Sequence, residues 1–152
     1  MVAASYHRIA ANHADRFLLG LGPSHRRMVA TYRNPLTKLA SYMDELDAAD
    51  PPVPRDRRVL AALGPKALRL AGERSAGAIP YLVTPEHTAT ARDILGDGPL
   101  LAPEQMVVLE TDPGRAREIA RYPLTQIYLS LPNYTNNFRR LGFTDEDIAG
   151  GV

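Results

Sequence analysis

Short apolar runs alternate along the chain with longer segments in which apolar residues recur at helical spacing. Four of these runs contain almost no polar residue, and they cover residues 16–22, 59–63, 79–83 and 106–109. None of the four alternates polar and apolar residues, so neither face is expected to meet water. Runs of this kind are typical of parallel strands that are covered by helices. The sequence therefore predicts four buried parallel strands.

An amphipathic segment follows each apolar run and predicts a connecting helix. Three of these segments open with an N-cap residue directly before a proline, a pair that favours the first turn of a helix. The three openings are Asn34-Pro35, Thr84-Pro85 and Asp112-Pro113. Gly77 and Gly96 are predicted to end the second and third connecting helices. The fourth is predicted to reach Arg121.

Two further helices are predicted outside these repeats. One covers residues 3–14, before the first strand, and residues 144–147 form a capping-box pattern that opens the other. A helix followed by four strand–loop–helix repeats predicts an α/β fold, with a parallel sheet and crossover helices. No linker or low-complexity tract interrupts the pattern, so residues 1–152 are predicted to form a single domain.

The composition is that of a core-forming protein, and it excludes several classes of function. The chain has 152 residues, of which 45% are hydrophobic, and a formal net charge of +1, far from the basic excess of nucleic-acid-binding domains. It has no cysteine for disulfides, thiol catalysis or thiolate metal sites. No apolar run approaches the ~20 residues of a membrane span, and the first residues lack the apolar core of a secretory signal. We therefore expect a cytoplasmic protein that binds neither nucleic acid nor membrane.

Ligands of parallel α/β folds bind where strands end and loops enter helices. The second predicted strand leads into Gly64-Pro65-Lys66. A glycine there admits a phosphate close to the backbone, a helix start offers unpaired N–H groups, and a lysine adds positive charge. A tight turn with a surface lysine explains the same three residues. A phosphate site and a plain turn therefore both stay open.

Two histidines, His25 and His87, fall at predicted strand exits. Either is a candidate catalytic residue, because a histidine at such a position can orient a substrate or shuttle a proton. A solvated loop side chain is the alternative for both. No H-x-x-x-H or H-E-x-x-H pattern is present to predict a metal site.

Residues 131–143 contain three asparagines, a tyrosine and two arginines. One interpretation is a polar wall that faces a ligand. The other is a short helix capped by Asn133, with Phe138 and Leu141 packed inward and Gly142 as its stop. The sequence favours the two interpretations equally.

Two motifs in the first half of the chain resemble luciferase-like oxidoreductases. Residues 16–22, Arg-Phe-Leu-Leu-Gly-Leu-Gly, are similar to the G-R-F-x-L-G-L-G strand of that family. Residues 62–66, Ala-Leu-Gly-Pro-Lys, followed by Leu70-Ala71 and Gly77, are similar to the unit that comes next.

Three further motifs resemble a mycobacterial and actinobacterial branch of the family whose members are predicted to use the deazaflavin coenzyme F-420. They are Pro-Tyr-Leu-Val-Thr-Pro-Glu-His at 80–87, Leu-Pro-Asn-Tyr at 131–134, and Arg-Leu-Gly-Phe-Thr-Asp-Glu-Asp at 140–147. Together the motifs extend the resemblance over residues 3–150.

The resemblance implies a (β/α)8 TIM barrel whose mouth holds F-420 or, in flavin-using relatives, flavin mononucleotide (FMN). It implies hydride transfer between a small organic substrate and the deazaflavin, or flavin-linked oxygenation. His87 is expected to line the mouth. The cofactor-binding residues implied by the motifs are Gly64, Pro65, Lys66, Thr84 and Glu86.

The length and the order of the motifs imply a partial barrel. A complete one takes ~250 residues, and the first strand here resembles the family's fourth, so three earlier units and the last one are expected to lie outside this sequence. About four strand–helix units remain, with extra helices at the end. The chain is then an oxidoreductase that needs the missing half, or a non-catalytic remnant or scaffold that binds a phosphorylated ligand. Four parallel strands leave two exposed sheet edges, through which we expect a homodimer.

Overall fold

The computed structural model describes residues 2–13, 16–25 and 34–152, which form an α/β fold. The helices are α1 (Val2–His13), α2 (Pro35–Asp47), α3 (Pro65–Arg74), α4 (Pro85–Leu95), α5 (Pro113–Gln126), α6 (Pro132–Arg140) and α7 (Asp145–Ala149). The strands are β1 (Leu19–Leu21), β2 (Arg58–Leu60), β3 (Gly77–Ala78) and β4 (Leu100–Leu101). The predicted α/β class is confirmed. No helix in these ranges combines the length and the apolar character needed to cross a membrane.

The four strands form one parallel sheet in the order in which they occur along the chain, β1-β2-β3-β4. Gly20 pairs with Val59, Leu60 with Ala78, and Ala78 with Leu101. Because all four strands run in the same direction, their carboxyl ends lie along one edge of the sheet. The loops that enter α3 and α4 start from that edge.

The third strand lies before the predicted run 79–83, and that prediction is wrong. β3 ends at Ala78, and Pro80 follows two residues later without an N–H for the ladder. Leu82 takes a positive φ of 55°, a conformation outside the strand region. Only Tyr81 pairs again, as a single bridge to Glu104.

The fourth strand also differs from its prediction, because residues 106–109 lie outside the sheet and Leu100–Leu101 occupy the place beside β3. Gly77 explains why Leu100–Leu101 can lie beside β3. A Cβ on Gly77, which has a φ of 151°, would lie 1.9 Å from the carbonyl oxygen of Leu100. The glycine therefore permits a close backbone approach between β3 and β4. It is not the helix stop that was predicted, since α3 already ends at Arg74.

The main core lies between the sheet and helices α1 to α4, and it contains one buried cation. Arg58 is 2% exposed, and it donates to the carbonyl oxygen of Arg74 (3.1 Å) and to the carboxylate of Asp47. Arg74 bonds the other oxygen of Asp47 at 2.7 Å. The largest fully buried apolar side chains are Leu39, Met43, Leu60, Leu68 and Val53.

The region after the sheet packs less tightly. α5 has no buried residue and continues through Pro123 to Gln126, beyond the predicted end at Arg121. An exposed helix accommodates such a proline because water can bond the carbonyl that loses its partner. α6 and α7 form a smaller second core, and the predicted capping box at Thr144 is confirmed.

Candidate functional site

The carboxyl edge of the sheet is covered by α6, which brings the C-terminal segment onto the loops that follow β2 and β3. Tyr134 and Phe138 of α6 are buried in the second core. Leu63, which follows β2, and Tyr81 and Leu82, which follow β3, pack against that core. The edge where ligands bind in parallel α/β folds is therefore built from both halves of the chain.

The start of α3 offers hydrogen-bond donors at this edge that no side chain caps. Gly64 is its N-cap residue, Pro65 occupies the first turn, and no side chain caps the helix. The backbone N–H groups of Lys66 and Ala67 point out of the first turn without an intrahelical partner. Such groups, together with the helix dipole, attract an anion.

A guanidinium group stands beside this helix start. A Cβ built on Gly64 would lie 3.6 Å from Nη2 of Arg140, with no other atom as close. Nη2 donates to Oδ1 of Asn137 at 3.1 Å, and Arg140 forms no ion pair with any described carboxylate. Burial lowers the pKa of Arg140, but a guanidinium stays charged at neutral pH. The result is a cation without a counter-ion in the part of the chain that the structure describes, next to unpaired N–H groups.

Two buried polar side chains lie around the same turn. His87, only 3% exposed, contacts the carbonyl oxygen of Leu63 through Nε2 at 2.8 Å. Asn137 is 2% exposed. Nδ1 of His87 and Nδ2 of Asn137 have no hydrogen-bond partner among the described residues. Buried polar groups are nearly always bonded, so two orphaned nitrogens beside residues 63–64 are consistent with a site that takes a polar ligand.

Thr84 and Glu86 build the start of α4. The Thr84 hydroxyl accepts from the backbone N–H of His87 at 3.3 Å. Hydrogen bonds from Thr84 and from its own backbone lower the pKa of Glu86, so this exposed carboxylate takes part in capping the helix. Thr84 also lines an open cavity of about 510 Å3.

That cavity lies between α5, α6 and the chain that follows β4. Its apolar lining includes Leu82, Met106, Leu124 and Phe138. Its volume is in the range of about 300–1,000 Å3 that is usual for small-molecule sites. The cavity therefore offers an apolar surface close to the carboxyl ends of β3 and β4.

Three tyrosines and a histidine cluster at the same edge. The hydroxyls of Tyr81 and Tyr128 lie 2.6 Å apart, and the ring of Tyr134 packs against both. The ring of His25 lies 5.8 Å from that of Tyr134. Burial and the Tyr128 hydroxyl raise the pKa of Tyr81. Its hydroxyl therefore stays protonated and can donate a hydrogen bond.

The structure brings two of the predicted site residues together and adds two residues, Asn137 and Arg140, to the candidate site. Gly64 and His87 meet at the loop before α3, whereas Lys66 is exposed and Glu86 serves the start of α4. Asn137 and Arg140 were recognised only as members of a polar segment. The helix interpretation of that segment is confirmed in part, because α6 is a helix with Phe138 buried. The polar wall stays a prediction, and of its side chains Arg140 lies beside Gly64.

The helix details differ from the prediction. Leu131, and not Asn133, is the N-cap of α6, because Pro132 occupies the first helical position. Gly142 follows the helix with a φ of 95°, as expected for a stop.

A comparison with models of known protein families, with curated proteins and with solved structures gives no match to this chain. The luciferase-like resemblance therefore rests on the motifs alone.

Proposed function

We propose that the chain is part of a luciferase-like oxidoreductase, which binds coenzyme F-420 and transfers a hydride between the coenzyme and a small organic substrate. The start of α3 carries the proposal. The residues that resemble the family's unit at 62–66 fold there as an uncapped helix start with the Arg140 guanidinium beside it. FMN, which also carries a phosphoryl group, is the alternative coenzyme.

The strand order supports a partial TIM barrel. Doubly wound sheets reverse their strand order at a switch point, whereas barrel strands follow one another in sequence. The four parallel strands here follow one another without a reversal. In a barrel the ligand lies at the carboxyl ends of the strands, which is where Gly64 and Thr84 occur.

The residues present fit the phosphoryl group of the coenzyme. The N–H groups of Lys66 and Ala67 offer two donors, and Arg140 offers a charge-assisted third. Gly64 has no side chain between these donors and the solvent. The unpaired Nδ2 of Asn137 is a further donor next to Arg140.

The deazaflavin supplies the hydride chemistry when bound, and the protein binds and orients the reactants. The cavity beside Thr84 offers apolar side chains to the substrate. Tyr81 and Tyr128 hold each other in place at its edge, and the protonated hydroxyl of Tyr81 is suited to bond a substrate oxygen. His87 forms a hydrogen bond with the carbonyl oxygen of Leu63 and so holds the turn before α3 in place.

Fluorescence anisotropy of F-420, titrated with the purified chain, tests the proposal. We expect saturable binding that weakens about 10- to 100-fold in Arg140→Gln, because one charge-assisted hydrogen bond contributes about 1.5–3 kcal/mol. Lys66→Ala is expected to weaken binding less, since its side chain is exposed.

Arg139→Gln is the matched control, because Arg139 is the preceding residue and pairs with Asp145 at 2.8 Å. It should leave the affinity unchanged. The dephosphorylated chromophore serves as the second control and should bind much more weakly than F-420. Equal binding of both ligands, or equal losses in the two arginine variants, would show that α3 does not hold the phosphoryl group.

A further inference from the structure

The chain that follows β4 has strand-like sequence and exposure but no strand partner. After the bridge at Glu104, residues 105–110 make no backbone–backbone hydrogen bond with another described residue. Exposure alternates from residue 107 onward, because Val107 (82%) and Leu109 (101%) face solvent while Val108 and Glu110 are half-buried. A period of two is that of an extended strand. Residues 107–110 therefore show the exposure of an extended strand, although they lie outside the sheet.

The segment of residues 100–127 is the most apolar exposed part of the described molecule. Nine large apolar side chains are exposed, and seven of them lie between residues 100 and 127. β4 pairs only with β3, and the neighbouring helix α5 has no buried residue. An open, apolar edge with unpaired backbone groups is a template for another strand. The unpaired backbone thus specifies a strand as the partner.

We propose that residues 106–110 pair antiparallel with the same residues of a second copy, about a two-fold axis at Val108. In that register Val107 faces Leu109 of the second copy, so the two most exposed apolar side chains cover each other. Val108 faces its own symmetry mate. Glu110 lies opposite Met106 and meets no charge within the paired segment, since the chain bends at residues 111 and 112.

The charge pattern selects this register over its neighbour. Side chains that face each other across an antiparallel pair lie on the same side of the sheet. A two-fold axis therefore permits a centre at Val108 or at Val107. A centre at Val107 would place Glu104 opposite Glu110, and like charges in that position are destabilising. It would also leave Leu109 opposite Gln105.

Cysteine cross-linking tests the register cleanly, because the chain has no native cysteine. Directly opposed residues have Cα atoms about 4.5–5.5 Å apart, within the reach of a disulfide. Val108→Cys should form a covalent dimer on mild oxidation. Val107→Cys, whose symmetry mate lies on the diagonal at about 7–8 Å, should not. Equal cross-linking of the two variants, or none in either, would overturn the proposed register.

Sedimentation velocity over a range of concentrations tests the dimer without cysteines. The unmodified chain should show a reversible monomer–dimer equilibrium. Val107→Lys should raise the dimer dissociation constant roughly tenfold, because both symmetry-related pairs are lost. Val2→Lys, at an exposed apolar position of α1, should leave it unchanged. Circular dichroism checks that each variant is folded. A monomer at every concentration, or a dimer insensitive to Val107→Lys, would refute the proposal.

Discussion

The apolar run 59–63, which begins within β2, and the apolar run 106–109 lie in opposite environments. All three residues of β2 are buried, whereas no residue from 96 to 130 is more than partly buried. β2 has a strand on each side and helix α3 against it, and its Arg58 bonds Asp47 of α2. Residues 106–109 have no strand beside them among the described residues. An apolar run therefore becomes a buried strand only where other strands and helices pack against it.

The two regions also handle charge differently. In the sheet region Arg58 is buried and held by Asp47 and by the Arg74 carbonyl. Around α5 the ion pair between Arg115 and Glu110 involves a largely exposed arginine, and such pairs contribute little to stability. The free energy of folding should therefore be concentrated in residues 34–101, and substitutions can measure that concentration.

The largest loss is expected for Gly77→Ala. The new Cβ would lie 1.9 Å from the Leu100 carbonyl oxygen, so β3 and β4 would have to separate, at a cost of about 4 kcal/mol or more. Gly96→Ala is the control, because Gly96 also has a positive φ but no atom lies near its added Cβ. It should cost about 1–3 kcal/mol, because only the backbone conformation is strained there. Chemical denaturation compares them, and equal losses would show that β3 and β4 do not approach as described.

Met43→Ala and Leu109→Ala compare the two regions directly. Met43 is fully buried and Leu109 is fully exposed. Truncation of a buried side chain costs about 2–5 kcal/mol, whereas an exposed position usually changes stability by less than about 0.5 kcal/mol. Urea unfolding of dilute samples, where a dimer would dissociate, measures both. A large loss for Leu109→Ala in the monomer would contradict the contrast between the regions.

A smaller loss is expected for Asp47→Asn, which leaves Arg58 buried without its carboxylate. Losing one partner of a buried pair costs about 3–5 kcal/mol, and we expect about 2 kcal/mol here because Asp47 is half exposed. Asp44→Asn removes an exposed partner of Arg74 and should cost less than about 1 kcal/mol. Thermal unfolding at neutral pH should separate the two variants.

The ion pair between Asp47 and Arg58 also predicts that the stability of the chain depends on pH. Hydrogen bonds from Arg58 and Arg74 lower the pKa of Asp47. The unfolded chain therefore binds this proton more readily. The contribution of the Asp47 carboxylate to the free energy of unfolding is complete above the ordinary aspartate pKa of about 4. It is lost as the pH falls through the lower pKa that Asp47 has in the folded chain. The stability difference between the native chain and Asp47→Asn should shrink in that acidic window. A difference that persists at the lowest pH would contradict this assignment.

Local sequence predicts the sheet class and most helix starts, because caps and prolines act within one turn. Asn34, Thr84 and Asp112 each cap the helix that their sequence predicts. The positions of β3 and β4 could not be predicted, because they depend on a contact between Gly77 and Leu100 that no local pattern encodes. Arg140 was missed for the same reason. Arg140 lies far along the sequence from Gly64, and only the packing of α6 onto the sheet brings them together.

The most direct test of the proposed phosphoryl site is a titration of the 15N-labelled chain with F-420, followed by amide NMR. We predict saturable shifts that are largest at the backbone amides of Lys66 and Ala67, accompanied by a shift of the Arg140 side chain. Inorganic phosphate should move the same signals more weakly. Shifts confined to the exposed arginines of α5, or no saturable shift at Lys66 and Ala67, would contradict a coenzyme site at the start of α3.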